Sequence, residues 1–214
     1  MKIGVVSDTH GFFDTRLAEV LAGVDLILHA GDVGKLEVLD ELERIAPVRA
    51  VKGNTDSILA DLPLRLSLSL GERSWRGASQ HGSLADSVQV EMLHELPAAQ
   101  TELEKWAKLA RREAPAPRGQ DALLRAFDQN TRVVIFGHSH VPCAVALYGK
   151  LFFNPGSAGK QRFSLPRCCG LVDLSARQLE ATILSLQQYN RKLPEKVVIE
   201  LDRGAALDGR QDTA

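Results

Sequence analysis

Seven residues able to ligate metal stand in five short blocks of this chain. The blocks are Ser7-Asp8-Thr9-His10-Gly11, Gly31-Asp32-Val33, Gly53-Asn54-Thr55-Asp56, His81-Gly82 and Gly137-His138-Ser139-His140. The candidate donors are Asp8, His10, Asp32, Asn54, His81, His138 and His140. Carboxylate, amide oxygen and imidazole without thiolate suit Mn²⁺, Fe, Zn²⁺ or Ni²⁺ better than a structural cysteine–zinc site. Asp8 and His10 are two apart, so in an extended chain both side chains point to one side. His138 and His140 share that spacing. A carboxylate at Asp32 could bridge two ions, and two divalent ions per chain suit phosphate-ester hydrolysis by an activated water. Such a pair would also stabilise the charge that grows on the phosphoryl oxygens.

Donors so far apart in sequence converge only if they sit at neighbouring strand ends, where open α/β sheets build their sites. The elements agree. Ile3-Gly4-Val5-Val6 and Leu26-Ile27-Leu28 are short apolar runs that end in ligand blocks, and Val48-Arg49-Ala50-Val51 runs to Gly53-Asn54. A helix capped by Asp14 through about Leu21, and another over about 36–45 stopped by Pro47, give β-α-β-α-β with parallel pairing. Leu62 to Leu70 alternates as a half-exposed strand. Gly71-Glu72 then makes a turn into a return strand from Arg73 to His81. The stretch from Leu84 to Asn130 reads as mostly helical, with Leu103, Trp106, Ala107 and Ala110 as its apolar stripe. His94 falls there and is expected to be solvated. Arg132 to Phe136 is a strand ending at Gly137-His138. A hairpin follows around Tyr148-Gly149-Lys150, then a last antiparallel pair around Ser175-Ala176-Arg177.

At 214 residues the chain suits a single domain, 1–214, with a helical insertion at about 84–119 and a flexible tail from about residue 203. Apolar residues are 44% and charged residues 25%, a globular composition. A formal net charge of −1 argues against stable nucleic-acid or membrane-surface binding, which needs a strong positive field. No run of 18 apolar residues occurs. The first strand starts at Ile3, leaving no room for a signal peptide. Cys143, Cys168 and Cys169 are odd in number and lack metal-site spacing, which points to reduced thiols and a cytoplasmic protein.

Taken in order, the five blocks resemble the calcineurin-like metallophosphoesterase superfamily. The compact length and Asn154-Pro155-Gly156-Ser157 resemble its small bacterial and archaeal phosphodiesterase branch, related in fold to the retromer subunit of eukaryotes. The resemblance spans most of 1–82 and 131–186. It implies a four-layer α/β/β/α sandwich of two mixed sheets flanked by helices, here with a helical insertion. It also implies that Asp8, His10, Asp32 and His140 hold one ion, with Mn²⁺ the first choice. Asp32, Asn54, His81 and His138 would hold the other, with Asp32 bridging.

This sequence departs from that pattern at Thr55, where many members carry a histidine thought to protonate the leaving group. Esters with good leaving groups are therefore expected to react fastest. Catalysis is assigned to Asn54 and Asp56, the latter as a weak substitute acid or, more in keeping with its place, a hydrogen-bond partner of a neighbouring ligand. Asn54 and Arg162 are expected to contact substrate. The expected activity is hydrolysis of a small or nucleotide-like phosphodiester through a metal-bridging hydroxide. The alternatives are a phosphomonoesterase and a non-catalytic scaffold of the same fold. A homo-oligomer is compatible with the branch.

Overall fold

A computed structural model describes residues 1–71, 87–110, 120–162, 164–175, 178–187, 193–194 and 196–201. The first sheet has the order β11-β10-β9-β1-β2-β3. Its strands are β1 (Lys2–Val6), β2 (Leu26–His29), β3 (Val48–Ala50), β9 (Cys168–Leu174), β10 (Gln178–Ser185) and β11 (Val197–Glu200). The second has the order β4-β5-β6-β8-β7. It is built from β4 (Arg65–Leu70), β5 (Val88–Leu93), β6 (Thr131–Ile135), β7 (Cys143–Leu147) and β8 (Lys150–Asn154). Both sheets are mixed. β1, β2 and β3 run parallel, as do β5, β6 and β8, while β4, β7, β9, β10 and β11 join by antiparallel pairing.

Strand alternation explains the layers. Ile3 and Val5, Leu26 and Leu28, Val133 and Ile135, and Leu151 and Phe153 project into the core between the sheets. The intervening Val6 and Ile27 face the opposite way, onto α1 (Arg16–Val20) and α2 (Leu36–Glu43) through Leu17, Leu21, Val38 and Leu42. On the far side, Val134 and Phe152 pack on α3 (Gln100–Ala110) and α4 (Gln120–Arg125) through Leu103, Trp106 and Leu123. Strands covered on both faces read as unbroken apolar runs, as those of β1, β2 and β6 do. Gly4 lets α1 lie close, since a Cβ there would stand 3.1 Å from Leu21. The expected four-layer α/β/β/α sandwich is the observed architecture.

The segment 84–119 is not a wholly helical insertion. Val88–Leu93 is β5, a strand paired with β4 on one side and β6 on the other, and α3 follows it. Its apolar residues at Val88, Val90, Met92 and Leu93 satisfy a sheet interior that a helix could not fill in that place. The partner of β4 is therefore β5. The expected return strand from Arg73 to His81 lies outside the described residues, as does the tail from about 203. No described helix is long and apolar enough to cross a membrane.

Leu103 is fully buried where α3 meets the second sheet. Leu103→Ala is expected to cost roughly 2–5 kcal/mol in urea unfolding, the range for emptying a well-packed site. A loss below about half a kcal/mol, within the range of ordinary surface substitutions, would mean α3 is not docked there.

Candidate metal centre

The donors gather where β1, β2, β3, β5 and β6 end, so that both sheets contribute. Leaving their strands, Asp8, His10, Asp32, His138 and His140 all take the left-handed conformation, with φ of 54°, 47°, 52°, 68° and 58°. L-residues rarely sit there, at a cost of order 1–3 kcal/mol each. The Asp8/His10 and His138/His140 pairs are thus aimed by left-handed turns, not by the pleat of extended chain that their spacing suggested. Backbone bonds between loops compensate: Asp8 N–H donates to Gly31 O at 3.0 Å, His10 N–H to Asp32 O at 2.9 Å, and Gly137 N–H to His94 O at 3.0 Å. Gly137 must lack a side chain because a Cβ would collide with Ser7 Oγ and crowd Asp8 Oδ2.

Each carboxylate is held by one oxygen and presents the other. Asp8 Oδ2 accepts from His138 N–H at 3.2 Å, while Asp8 Oδ1 is buried with no hydrogen-bond partner. Asp32 Oδ1 accepts from Thr55 N–H at 2.9 Å, leaving Oδ2 3.5 Å from His94 Nε2 and 3.7 Å from His10 Nε2. His140 Nε2 lies 3.3 Å from Asp8 Oδ1 and 3.2 Å from His10 Nε2. Two three-residue groups result, Asp8–His10–His140 and Asp8–Asp32–His94, each with ligand atoms within 4.8 Å of one another. Asn54 Oδ1 sits 3.1 Å from both His94 Nε2 and His138 Nδ1.

His94 was expected to be solvated on a helix. Instead it is buried at the end of β5, with Nδ1 2.8 Å from Ala30 O. A carbonyl only accepts, so Nδ1 carries a proton, and the other ring nitrogen, Nε2, faces Asp32, Asn54 and Asp8. Unprotonated at Nε2, His94 would join these oxygens as a ligand, and the donor set fits a divalent metal. The signal was present in the sequence: an apolar strand-like run followed at once by histidine, as in the other blocks. His81 lies outside the described residues.

Two other aspects of the expected site differ. Asp56 is fully buried, and its carboxylate accepts from the N–H groups of Val33 (3.0 Å), Gly34 (2.7 Å) and Gly53 (2.9 Å). It braces the Asp32 and Asn54 loops, which is closer to the expected hydrogen-bonding role than to that of a substitute acid. Arg162 is exposed, and its charge reaches His10. Burial first and Arg162 second lower the His10 pKa, against the pull of Asp32 and Asp8. Burial would raise the Asp32 pKa, but His94 and Thr55 N–H outweigh it and hold the carboxyl well below the usual range. For His94, burial lowers the pKa, yet Asp32, the Ala30 carbonyl and Asp8 together raise it.

His29 lies beneath the centre, with Nε2 2.9 Å from Thr9 Oγ1. The Thr9 hydroxyl donates to Val33 O at 3.0 Å, so it accepts from His29 Nε2–H, which leaves Nδ1 a buried acceptor without a partner. Burial holds this imidazole neutral, with its pKa down at about 4. Below the ordinary value of 6.5 the unfolded chain takes up a proton that the folded one refuses. Stability from this group is therefore complete above that value and is lost as pH falls toward 4. His94 has the opposite sign, so His29 must be isolated by substitution. His29→Gln in metal-free protein is expected to flatten the decline in thermal midpoint between about pH 7 and about pH 4.5. Parallel curves for the two proteins would refute the assignment.

Comparison with known proteins agrees with this geometry. Residues 1–177 match the family model for the calcineurin-like phosphoesterase superfamily domain. A probable metallophosphoesterase of Methanothermobacter thermautotrophicus is 30% identical over 193 residues, covering 86% of this chain and 92% of the relative. One from Methanocaldococcus jannaschii is 29% identical over 198 residues, covering 88% and 83%. Among solved structures, Vacuolar Protein Sorting 29 from Cryptosporidium parvum superposes with a TM-score of 0.60 at 19% identity, over 94% of this chain and 96% of that one. The chain belongs to the calcineurin-like phosphoesterase superfamily, in keeping with relatives named as probable metallophosphoesterases.

Proposed function

We propose that this protein is a dinuclear metal-dependent phosphodiesterase acting on a small or nucleotide-like ester. The observation that carries the reading is the position of Asp32 Oδ2, between His10 Nε2 at 3.7 Å and His94 Nε2 at 3.5 Å. One carboxylate oxygen so placed would be available to two ions. Asp8, His10, Asp32 and His140 would hold one, and Asp32, Asn54, His94 and His138 the other, with His94 in the role first given to His81. Mn²⁺ leads, with Fe, Zn²⁺ and Ni²⁺ as alternatives for these donors. When bound, the pair supplies an activated water and neutralises phosphoryl charge.

The chain's own groups do the rest. Asn54 and His138 are exposed at the mouth, where they meet the phosphoryl group, and Arg162 adds positive charge on the His10 side. Thr55 follows Asn54 and offers no imidazole; its N–H is occupied by Asp32. With Asp56 locked to backbone, the leaving group departs with little protonation from the protein. Diesters and activated aryl esters are therefore favoured over alkyl monoesters. A scaffold without catalysis would not need this complete donor set. The three buried free thiols favour a reducing, cytoplasmic setting.

Protein stripped of metal and given Mn²⁺ is expected to hydrolyse bis(p-nitrophenyl) phosphate faster than p-nitrophenyl phosphate. Inactivity with every divalent ion would end the enzymatic reading, and a reversed preference would make it a monoesterase. His94→Ala is expected to reduce bound metal from about two ions to about one and to lower kcat at least about a hundredfold, the scale of losing a major electrostatic contribution. Unchanged metal content would remove His94 from the ligand set.

A further inference from the structure

A cleft of about 330 Å³ opens beside His138, between the Glu95–Gln100 segment and the Phe136–Ser139 segment. It lies at the lower end of the range for small-ligand sites, roughly 300–1,000 Å³. Leu96, Pro97, Ala98 and Phe136 give it apolar walls, while Glu95 and Ser139 stand at its polar side. It is continuous with the metal centre, because His138 lines the cleft and also lies 3.1 Å from Asn54 Oδ1.

Charge is distributed unequally across the centre. Its His10–His140 side is met by Arg162, and Lys160 lies nearby over the Phe12 ring. Its His94–His138 side carries the exposed Glu95, whose Oε1 is 3.8 Å from His138 Nε2. A second phosphate or a carboxylate would be repelled at the Glu95 edge. A neutral, flat group with an N–H to donate would be accepted there, since a carboxylate only accepts. Ser139 Oγ is already committed to Gln100 Oε1 at 2.7 Å, so Glu95 is the polar group left to read the occupant.

We infer that this cleft seats the organic group of the ester, a neutral amino-bearing heterocycle such as an aminopurine, with the charged end directed toward Arg162. The inference rests on the phosphoesterase reading and adds a substrate class to it. Apolar walls take the ring faces, and Glu95 accepts from the exocyclic amine. Discrimination comes mainly from that hydrogen bond, because an analogue with a carbonyl in its place leaves two acceptors opposed.

Binding of phosphorylated products to the Mn²⁺-loaded protein tests this without turnover. Inorganic phosphate, ribose 5-phosphate, adenosine 5′-monophosphate and inosine 5′-monophosphate would be compared by titration calorimetry. Adenosine monophosphate is expected to bind at least about tenfold tighter than ribose 5-phosphate, equivalent to about 1.4 kcal/mol, and tighter than inosine monophosphate. Ala98→Trp is expected to fill the cleft and remove the advantage of the base, affecting phosphate far less. Ala99→Trp, at an exposed position of the same wall, repeats the test should the first variant misfold. Glu95→Gln is expected to erase the preference for the amino over the oxo base at unchanged metal content. Equal affinity for adenosine monophosphate and ribose 5-phosphate, or equal losses for all ligands in the tryptophan variants, would overturn the subsite alone. Failure of inorganic phosphate to bind at all would overturn the phosphoester reading and the subsite with it.

Discussion

Ring nitrogens of His10, His94 and His140 and the free oxygens of Asp8 and Asp32 face one another within a few ångströms. The two buried carboxylates repel one another, and burying the unpartnered Asp8 oxygen is costly in itself. Much of the surrounding structure serves to hold that arrangement in place. Each carboxylate is fixed through its second oxygen by a backbone N–H from another loop. The His10 and His140 imidazoles are positioned by turns that an ordinary residue avoids. Metal binding and folding are coupled by this geometry, since a cation removes the repulsion that the fold otherwise contains.

The turns that carry the ligands would not persist alone. Asp56 ties the loops after β2 and β3 through three backbone amides. His29 supports Thr9, which stands between two donors. Asn154, fully buried, donates to Gly137 O at 2.9 Å and accepts from Gly156 N–H at 2.8 Å, while Ser157 Oγ donates to Asp8 O at 2.9 Å. The Asn154-Pro155-Gly156-Ser157 turn thus closes the centre from β8 and links the two sheets. These residues contact no reacting atom, yet they over-determine the strained conformations, which is how such strain is retained.

Around this core the surface divides by charge. Arg162 influences the His10 side, where its proximity disfavours a second positive charge on that ring. Glu95 stands on the His138 side beside an apolar cleft. A phosphoester carries charge at one end and organic structure at the other, so the division supplies an orientation. On the proposed reading, Thr55 offers no titratable group, and rate acceleration would rest on positioning and charge neutralisation, the larger contributors in most phosphoryl chemistry.

Strand ends followed by acid or histidine, with glycine beside them, were legible in residue order because a buried parallel strand must be an apolar run and a ligand must leave it at a tight turn. Those blocks carried the family resemblance, which implied the two-sheet sandwich, and they held six of the residues that the structure gathers at one place, from Asp8 to His140. The same rule applied to Val88–Leu93 and His94, but the helical stripe of Leu103, Trp106 and Ala107 begins soon afterwards and the strand was absorbed into it. Period alone does not mark where a short strand yields to a helix. Only tertiary structure decided that β5 lies between β4 and β6, that Asp56 turns inward to backbone, and that Glu95 borders a cleft. Those are relations between segments distant in sequence, set by which faces pack together, and no local pattern of residue types encodes them.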